Sequence, residues 1–253
     1  MTGALGLTGA DLILAPEAPL GDAAARLEGY AGRRSQGEPL SRILGRREFW
    51  SLSFAVTPHV LDPRADTETL VEAAVDALSA RRGEALRILD FGTGSGALLC
   101  ALLAEFPNAQ GLGLDVSPEA AATARANVEV LGFGPRARVE AGDWGRGLAG
   151  PFDLIVSNPP YIRSADLETL GREVREHDPR LALDGGADGL CAYRSLAPEI
   201  ARLLAFEGLF LLEIGEGQGD EVRALMRAAG LDPSISRADL SGRERVVGGL
   251  NGA

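Results

Sequence analysis

Leu86-Arg87-Ile88-Leu89-Asp90-Phe91-Gly92-Thr93-Gly94-Ser95-Gly96 is the stretch from which the rest of the chain is read. An apolar run of strand character passes straight into three glycines, and an apolar helical pattern, Ala97–Phe106, follows. Strand, glycine turn and helix in that order open a βαβ unit. Glycines in such a turn accept positive φ and let a ligand approach the backbone. Asp115 ends the next strand candidate, where a carboxylate can accept hydrogen bonds from two ribose hydroxyls. With Ala97 the turn also completes a loose GxGxxG/A pattern, so this stretch alone fits a dinucleotide as well as other nucleoside cofactors.

Working outward, strand and helix signals alternate from 86 to 249. Strands are expected at Leu86–Phe91, Gln110–Val116, Ala137–Ala141, Phe152–Asn158, Gly208–Ile214 and Arg243–Gly249, with a weaker one near Ser234–Ala238. Helices are expected at Ala97–Phe106, Pro118–Leu131, Gly189–Ala205 and Gly219–Ala229. The fold class is therefore α/β: a Rossmann-like, seven-stranded, mostly parallel sheet with helices on both faces. A short turn at Ser241-Gly242 joins the last two strands and leaves one antiparallel strand inserted near an edge. Upstream, Asp66 or Thr67 is expected to cap a helix reaching about Arg82, and Glu48–Val56 reads as a small hairpin. A short helix is expected around Asp22–Ala31. The boundary falls near residue 65, giving a shortened N-terminal helical and hairpin region, 1–65, and a main domain, 66–253.

Of the 253 residues, 45% are apolar and 5% aromatic, so the core is built from aliphatic side chains. A net charge of −11 argues against a protein that grips nucleic acid by neutralising phosphates. Six arginines between Arg26 and Arg47 reverse that sign locally and read as a solvated basic face or a partner-contact surface. Cys100 and Cys191 are far apart with no CxxC, and read as buried free thiols of a reducing compartment. The first twenty residues lack a signal-peptide pattern, and no apolar run is long enough to span a membrane, so a cytoplasmic location is expected.

The strand Phe152–Asn158 ends in Asn158-Pro159-Pro160-Tyr161. Neither proline can donate to a ladder, so the chain leaves the sheet abruptly. It carries an amide at Asn158, a carbonyl at Pro159 with no N–H behind it, and an aromatic ring at Tyr161. At the carboxyl end of a parallel strand, these groups make a holder for a flat, hydrogen-bonding NH2 group. Two further features favour S-adenosylmethionine as the cofactor over a dinucleotide. Asp90 precedes the glycine turn, where a carboxylate supports a cationic ammonium and would repel a pyrophosphate. Asp143-Trp144, after the third strand, supplies an acceptor for an adenine amino group and a ring to pack on the base. The cofactor-binding set is thus Asp90, Gly92, Thr93, Gly94, Ser95, Gly96, Asp115, Asp143, Trp144 and Asn158, and the catalytic set is Asn158 to Tyr161. His59 and His177 read as structural or surface residues, and no metal site is indicated.

These motifs resemble the class I, seven-stranded methyltransferases, through DFGTGSG (90–96), Asp115 and SNPPY (157–161). NPPY is also similar to the motif of N6-adenine and N2-guanine methyltransferases, so it specifies only a planar NH2 nitrogen. Gly37–Leu40, Ile43–Trp50 and Asp62–Glu72 resemble the linker hairpin of the HemK-like release factor glutamine N5-methyltransferases. Glu173–Glu176, Asp178–Leu183 and Gly185–Leu190 are similar to that family's segment after NPPY. Asp66-Thr67-Glu68 favours this branch over the ribosomal-protein glutamine methyltransferases. The resemblance implies transfer of a methyl group to the glutamine of the Gly-Gly-Gln loop in peptide chain release factors. It also implies that residues 1–65 help to dock that partner.

Overall fold

The computed structural model of the protein describes residue 21 and residues 23–252. Residues 1–20 lie outside the described residues, as does Asp22, the expected start of the first helix.

The chain begins with α1 (Ala23–Ser35) and the single turn α2 (Leu40–Leu44). The hairpin of β1 (Arg46–Phe49) and β2 (Leu52–Ala55) follows, and its register pairs Phe49 with Leu52. Both turn residues, Trp50 and Ser51, take positive φ, the geometry that matches the right-handed twist of a two-residue hairpin. Partners fix that turn: the Trp50 N–H donates to Glu68 Oε1 and its indole to Glu105 Oε1, each at 2.8 Å.

The main sheet runs β5-β4-β3-β6-β7-β9-β8. Its strands are β3 (Arg87–Phe91), β4 (Gln110–Asp115), β5 (Ala137–Ala141), β6 (Phe152–Ser157), β7 (Leu204–Glu213), β8 (Asp232–Ala238) and β9 (Glu244–Leu250). β3 to β7 pair in parallel, while β9 is antiparallel to both neighbours, β7 and β8. The expected mixed sheet with one inserted antiparallel strand is therefore the observed one. β7 starts at Leu204, ahead of the expected Gly208. Its pairing with β6 breaks between Phe152 and Leu154, and a bulge takes up the extra residues.

Alternation along the central strands divides the core between the two faces. Ile88, Leu154 and Leu209 point to one side, joining Phe49, Phe54, Leu70, Leu99 and Phe106. Leu89, Ile155 and Phe210 point to the other, joining Tyr193, Leu196, Ile200 and Met226. The crossover helices are α4 (Ala97–Glu105), α5 (Pro118–Val130), α7 (Cys191–Leu203) and α8 (Gly219–Ala228). In α4 every residue from Ala97 to Leu103 is buried, so its sequence has no polar face to show. α5 starts on Ser117, whose hydroxyl accepts from the Ala120 N–H, with Pro118 in the first turn.

Several local expectations are corrected. The helix expected from Asp66 or Thr67 to Arg82 is α3 (Glu68–Ala77) between 3₁₀ turns at Ala65–Thr67 and Ser79–Arg81. Neither Asp66 nor Thr67 caps it with a side chain; the Thr67 hydroxyl is used elsewhere. α2 and the short α6 (Arg172–His177) were not expected, because one or two turns carry too little periodicity to read. The arginine run is largely paired: Arg33 with Glu38, Arg34 with Glu173, and a buried Arg42 with Asp178. Of the thiols, Cys100 is buried, which pushes its pKa up to about 12, but Cys191 is exposed at the start of α7. Among the described residues no helix is long and apolar enough to cross a membrane.

Candidate active site

A cavity of about 450 Å³ lies across the carboxyl ends of β3, β4 and β6. One end is formed by Asp90, Gly92–Ser95, Asp115–Ser117 and Trp144, the other by Thr67, Asn158, Pro160, Leu181 and Ala192. Adjacent parallel strands ending at one level bring these distant stretches together, since β3 pairs with both β4 and β6.

At the first end, Gly92, Gly94 and Gly96 all have positive φ. Gly96 must also be small, because a Cβ there would sit 3.3 Å from Ala124 Cβ on α5. A Cβ on Gly94 would instead enter the open space of the cavity, its nearest neighbour the Gly92 carbonyl at 3.9 Å. Asp115 holds the turn from the side. Its Oδ2 accepts from the Gly94 N–H and its Oδ1 from the Ser117 N–H, both at 2.9 Å. Each carboxylate oxygen keeps a further lone-pair direction for a ligand hydroxyl. Burial raises the Asp115 pKa against these two bonds.

Asp90 is 1% exposed and accepts from Thr93 Oγ1 at 2.6 Å. Loss of solvation pushes its pKa to about 7, with the nearby Asp115 adding to the rise. A buried acid in this state gains from a cation placed beside it. Trp144 lines the cavity and meets Phe91 edge to face, with ring centroids 6.4 Å apart. Asp143 does not line it. Its half-exposed side chain lies 3.6 Å from Arg146. His59 is exposed at the cavity mouth and His177 ends α6, outside the lining.

At the other end, Asn158 is held by a chain of side chains from three elements. Its Nδ2 donates to Thr67 Oγ1 at 3.0 Å, and Thr67 Oγ1 donates to Glu213 Oε2 at 2.6 Å. Tyr161 OH donates to the other oxygen, Glu213 Oε1, at 3.3 Å. Glu213 is 2% exposed, and burial pushes its pKa to about 7 in spite of the Thr67 bond and the Arg245 charge. The β6–β7 register, with Ser157 opposite Leu212, sets Glu213 beside Asn158. Tyr161 was expected to contribute its ring to the holder of a planar NH2 group, but the ring stands behind the cavity wall, against Gly215 and Glu213. Pro159 is buried and, unlike Asn158 and Pro160, does not line the cavity, although among the described residues no group donates to its carbonyl.

The segment after NPPY folds back over it. The Ile162 N–H donates to the Leu183 carbonyl, and the Gly185 N–H to that of Ile162. Gly185 admits no side chain, for a Cβ would meet the Pro160 carbonyl at 2.9 Å. Gln218 buckles the motif to β7, donating to the Tyr161 carbonyl and accepting from the Gly215 N–H. Thr67, Glu213 and Gln218 escaped the sequence reading. Thr67 looked like a cap and Glu213 like the end of a buried strand. An acid in so apolar a run was the one available signal.

A family model described as Methyltransferase small domain matches residues 65–187, and one described as PrmC N-terminal domain matches residues 1–45. The release factor glutamine methyltransferase of Rhodospirillum rubrum is 50% identical over 237 residues, covering 94% of this chain and 70% of that protein. That of Caulobacter vibrioides is 47% identical over 249 residues, covering 98% of this chain and 86% of its own length. The chain belongs to the release factor glutamine methyltransferase family. A methyltransferase from Pyrococcus furiosus shares the fold, with a TM-score of 0.55 at 17% identity, over 89% of this chain and all of that one. The protein is thus an S-adenosylmethionine-dependent methyltransferase, and the open glycine turn with Asp115 and Asp90 beside it fits a cofactor that carries ribose hydroxyls and an ammonium group.

Proposed function

We propose that the protein methylates the side-chain amide nitrogen of the glutamine in the Gly-Gly-Gln loop of peptide chain release factors, with Asn158 and Pro159 as the amide holder. The observation that carries this reading is the fixed orientation of Asn158. Its Nδ2 donates to Thr67, which leaves Oδ1 as the free acceptor of a side chain that lines the cavity. Asp90, the glycine turn, Asp115 and Trp144 would hold S-adenosylmethionine, which supplies an electrophilic methyl group when bound.

An amide nitrogen is a poor nucleophile, because its lone pair is delocalised into its carbonyl. Two acceptors, Asn158 Oδ1 and the Pro159 carbonyl, each taking one N–H, hold that nitrogen and draw it toward tetrahedral geometry. Positioning of this kind supplies several kcal/mol of the barrier, roughly half of what well-oriented groups achieve. The alkylated nitrogen is strongly acidic and sheds its proton to water, so no side chain is assigned as base. Glu213, the one buried acid near Asn158, stands behind it and does not line the cavity. Tyr161 and Gln218 keep the motif in place. Residues 1–65 are assigned to docking, their hairpin reaching the site through Phe49.

The competing substrate is a nucleic-acid base amine, against which the net charge of −11 and the pairing of the arginine run both speak. Incubation with methyl-labelled cofactor separates the two. Label is expected on purified release factor and lost when its loop glutamine is replaced. Label on RNA or DNA, with none on release factor, would contradict the proposal.

A further inference from the structure

We infer that Thr67 and Glu213 are positioning residues for the methyl transfer: a one-way hydrogen-bond relay that dictates which end of the Asn158 amide faces the substrate. The inference rests on the reading of Asn158 as the amide holder.

The two ends of an asparagine amide have nearly the same shape and opposite hydrogen-bonding character. Were Asn158 turned over, its NH2 would face an incoming NH2 group, donor against donor, and the nitrogen would not be held. Something must therefore specify the orientation. A carboxylate only accepts, so Glu213 obliges the Thr67 hydroxyl to donate to it at 2.6 Å. The Thr67 oxygen is left as an acceptor, which takes the Asn158 Nδ2 at 3.0 Å. Direction passes along the relay from acid to hydroxyl to amide and ends with Oδ1 as the free acceptor. Tyr161 OH donates to the second oxygen of Glu213, so the acid is engaged on both sides.

Burial makes this arrangement specific. Glu213 is 2% exposed and Thr67, at the cavity wall, only 7%, so water has little access to the bond between them. A buried acid is costly unless it is bonded, and here two hydroxyl donors meet it. The three members come from separate stretches: the 3₁₀ turn before α3, the end of β6 and the end of β7. Thr67 would serve the start of α3 by capping it, yet its side chain makes no cap bond and turns to Glu213.

The test measures release factor methylation by Thr67→Val, Thr67→Ser, Glu213→Gln and Asn158→Ala at about pH 8, where Glu213 is ionised. Thr67→Val keeps the shape and deletes the hydroxyl. Its kcat is expected to fall roughly 10- to 100-fold, as for a lost buried hydrogen bond, with both KM values within about threefold. Thr67→Ser restores the donor and the acceptor, and its kcat stays within about threefold of the parent. Glu213→Gln can turn its Nε2 toward Thr67 as readily as its Oε1, which releases the direction of the relay, so its kcat is expected to fall at least about threefold; a parental kcat would overturn the relay even where Thr67→Val folds poorly. An inactive Asn158→Ala beside a fully active Thr67→Val would overturn the relay alone. A fully active Asn158→Ala would overturn the reading of Asn158 and the relay with it. A lowered melting temperature in Thr67→Val with unchanged kcat would also overturn the relay, for it would mark a purely structural role.

Discussion

Asp90 and Asp115 are two carboxylates close together at the cofactor end, and their surroundings give them different work. Asp115 is tied to two backbone N–H groups of the glycine turn and the start of α5, so replacing it by alanine removes both the ligand's acceptor and the support of the turn. Calorimetry on Asp115→Ala should show S-adenosylmethionine affinity reduced by at least about tenfold, the loss of one to two charged hydrogen bonds. Asp90 is expected to show itself through pH. Its folded-state pKa, about 7, lies above the ordinary 3.8, so the folded protein holds this proton more tightly than the unfolded chain. Its contribution to stability is full below the ordinary value and is lost as pH rises toward the folded one. Asp90→Asn cannot ionise. In cofactor-free protein its melting temperature relative to the parent should be higher at pH 8 than at pH 5, and an offset that does not vary with pH would contradict this. At this scale the sequence showed both acids, because Asp90 stands just before the glycine turn and Asp115 at the end of the next strand. It did not show Thr67 and Glu213, whose partners lie 91 and 146 positions apart along the chain.

At the scale of elements, β4 is a strand closely constrained by the helix that covers it. Gly111 faces α4, and a Cβ there would meet Leu99 Cδ1 at 2.6 Å and Leu103 Cδ1 at 3.2 Å. Gly111→Val overpacks that contact and should cost about 2 kcal/mol, the middle of the range for inserted methyl groups. For a chain of this length that is a melting temperature lower by roughly 4–8 °C, read by calorimetry. The strand–turn–helix succession could be read from the sequence because each long element had its own period and each turn its own glycine. The bulge at the start of β7 and the single-turn helices could not. A local break in register or a single turn leaves no repeat, and partners distant in sequence decide such features.

For the molecule as a whole, Asp178 ties the N-terminal region to the segment after NPPY. Its Oδ1 lies 2.8 Å from Arg42 Nη2 and its Oδ2 pairs with Arg64. The arginine run looked like a solvated face because sequence shows the sign of a charge and not its partner. Asp178→Ala leaves the buried Arg42 guanidinium without its counter-charge, with only the Thr57 and Val60 carbonyls as acceptors, and should cost about 3 kcal/mol. Replacing the buried pair together, Arg42→Met with Asp178→Leu, should cost clearly less, and denaturant unfolding of the two variants measures the difference. The glycine turn and NPPY together gave the reaction class, the linker hairpin and the charge balance pointed to the substrate, and the order of the sheet explains how the two ends of the site meet. The account depends most on Asn158 as the amide holder. The most direct test is single-turnover methyl transfer to release factor by Asn158→Ala, with its cofactor affinity measured by calorimetry in parallel. Transfer is predicted to vanish while affinity stays within about tenfold of the parent, since the glycine turn, Asp90 and Asp115 at the cofactor end are untouched. Transfer at the parental rate would contradict the account.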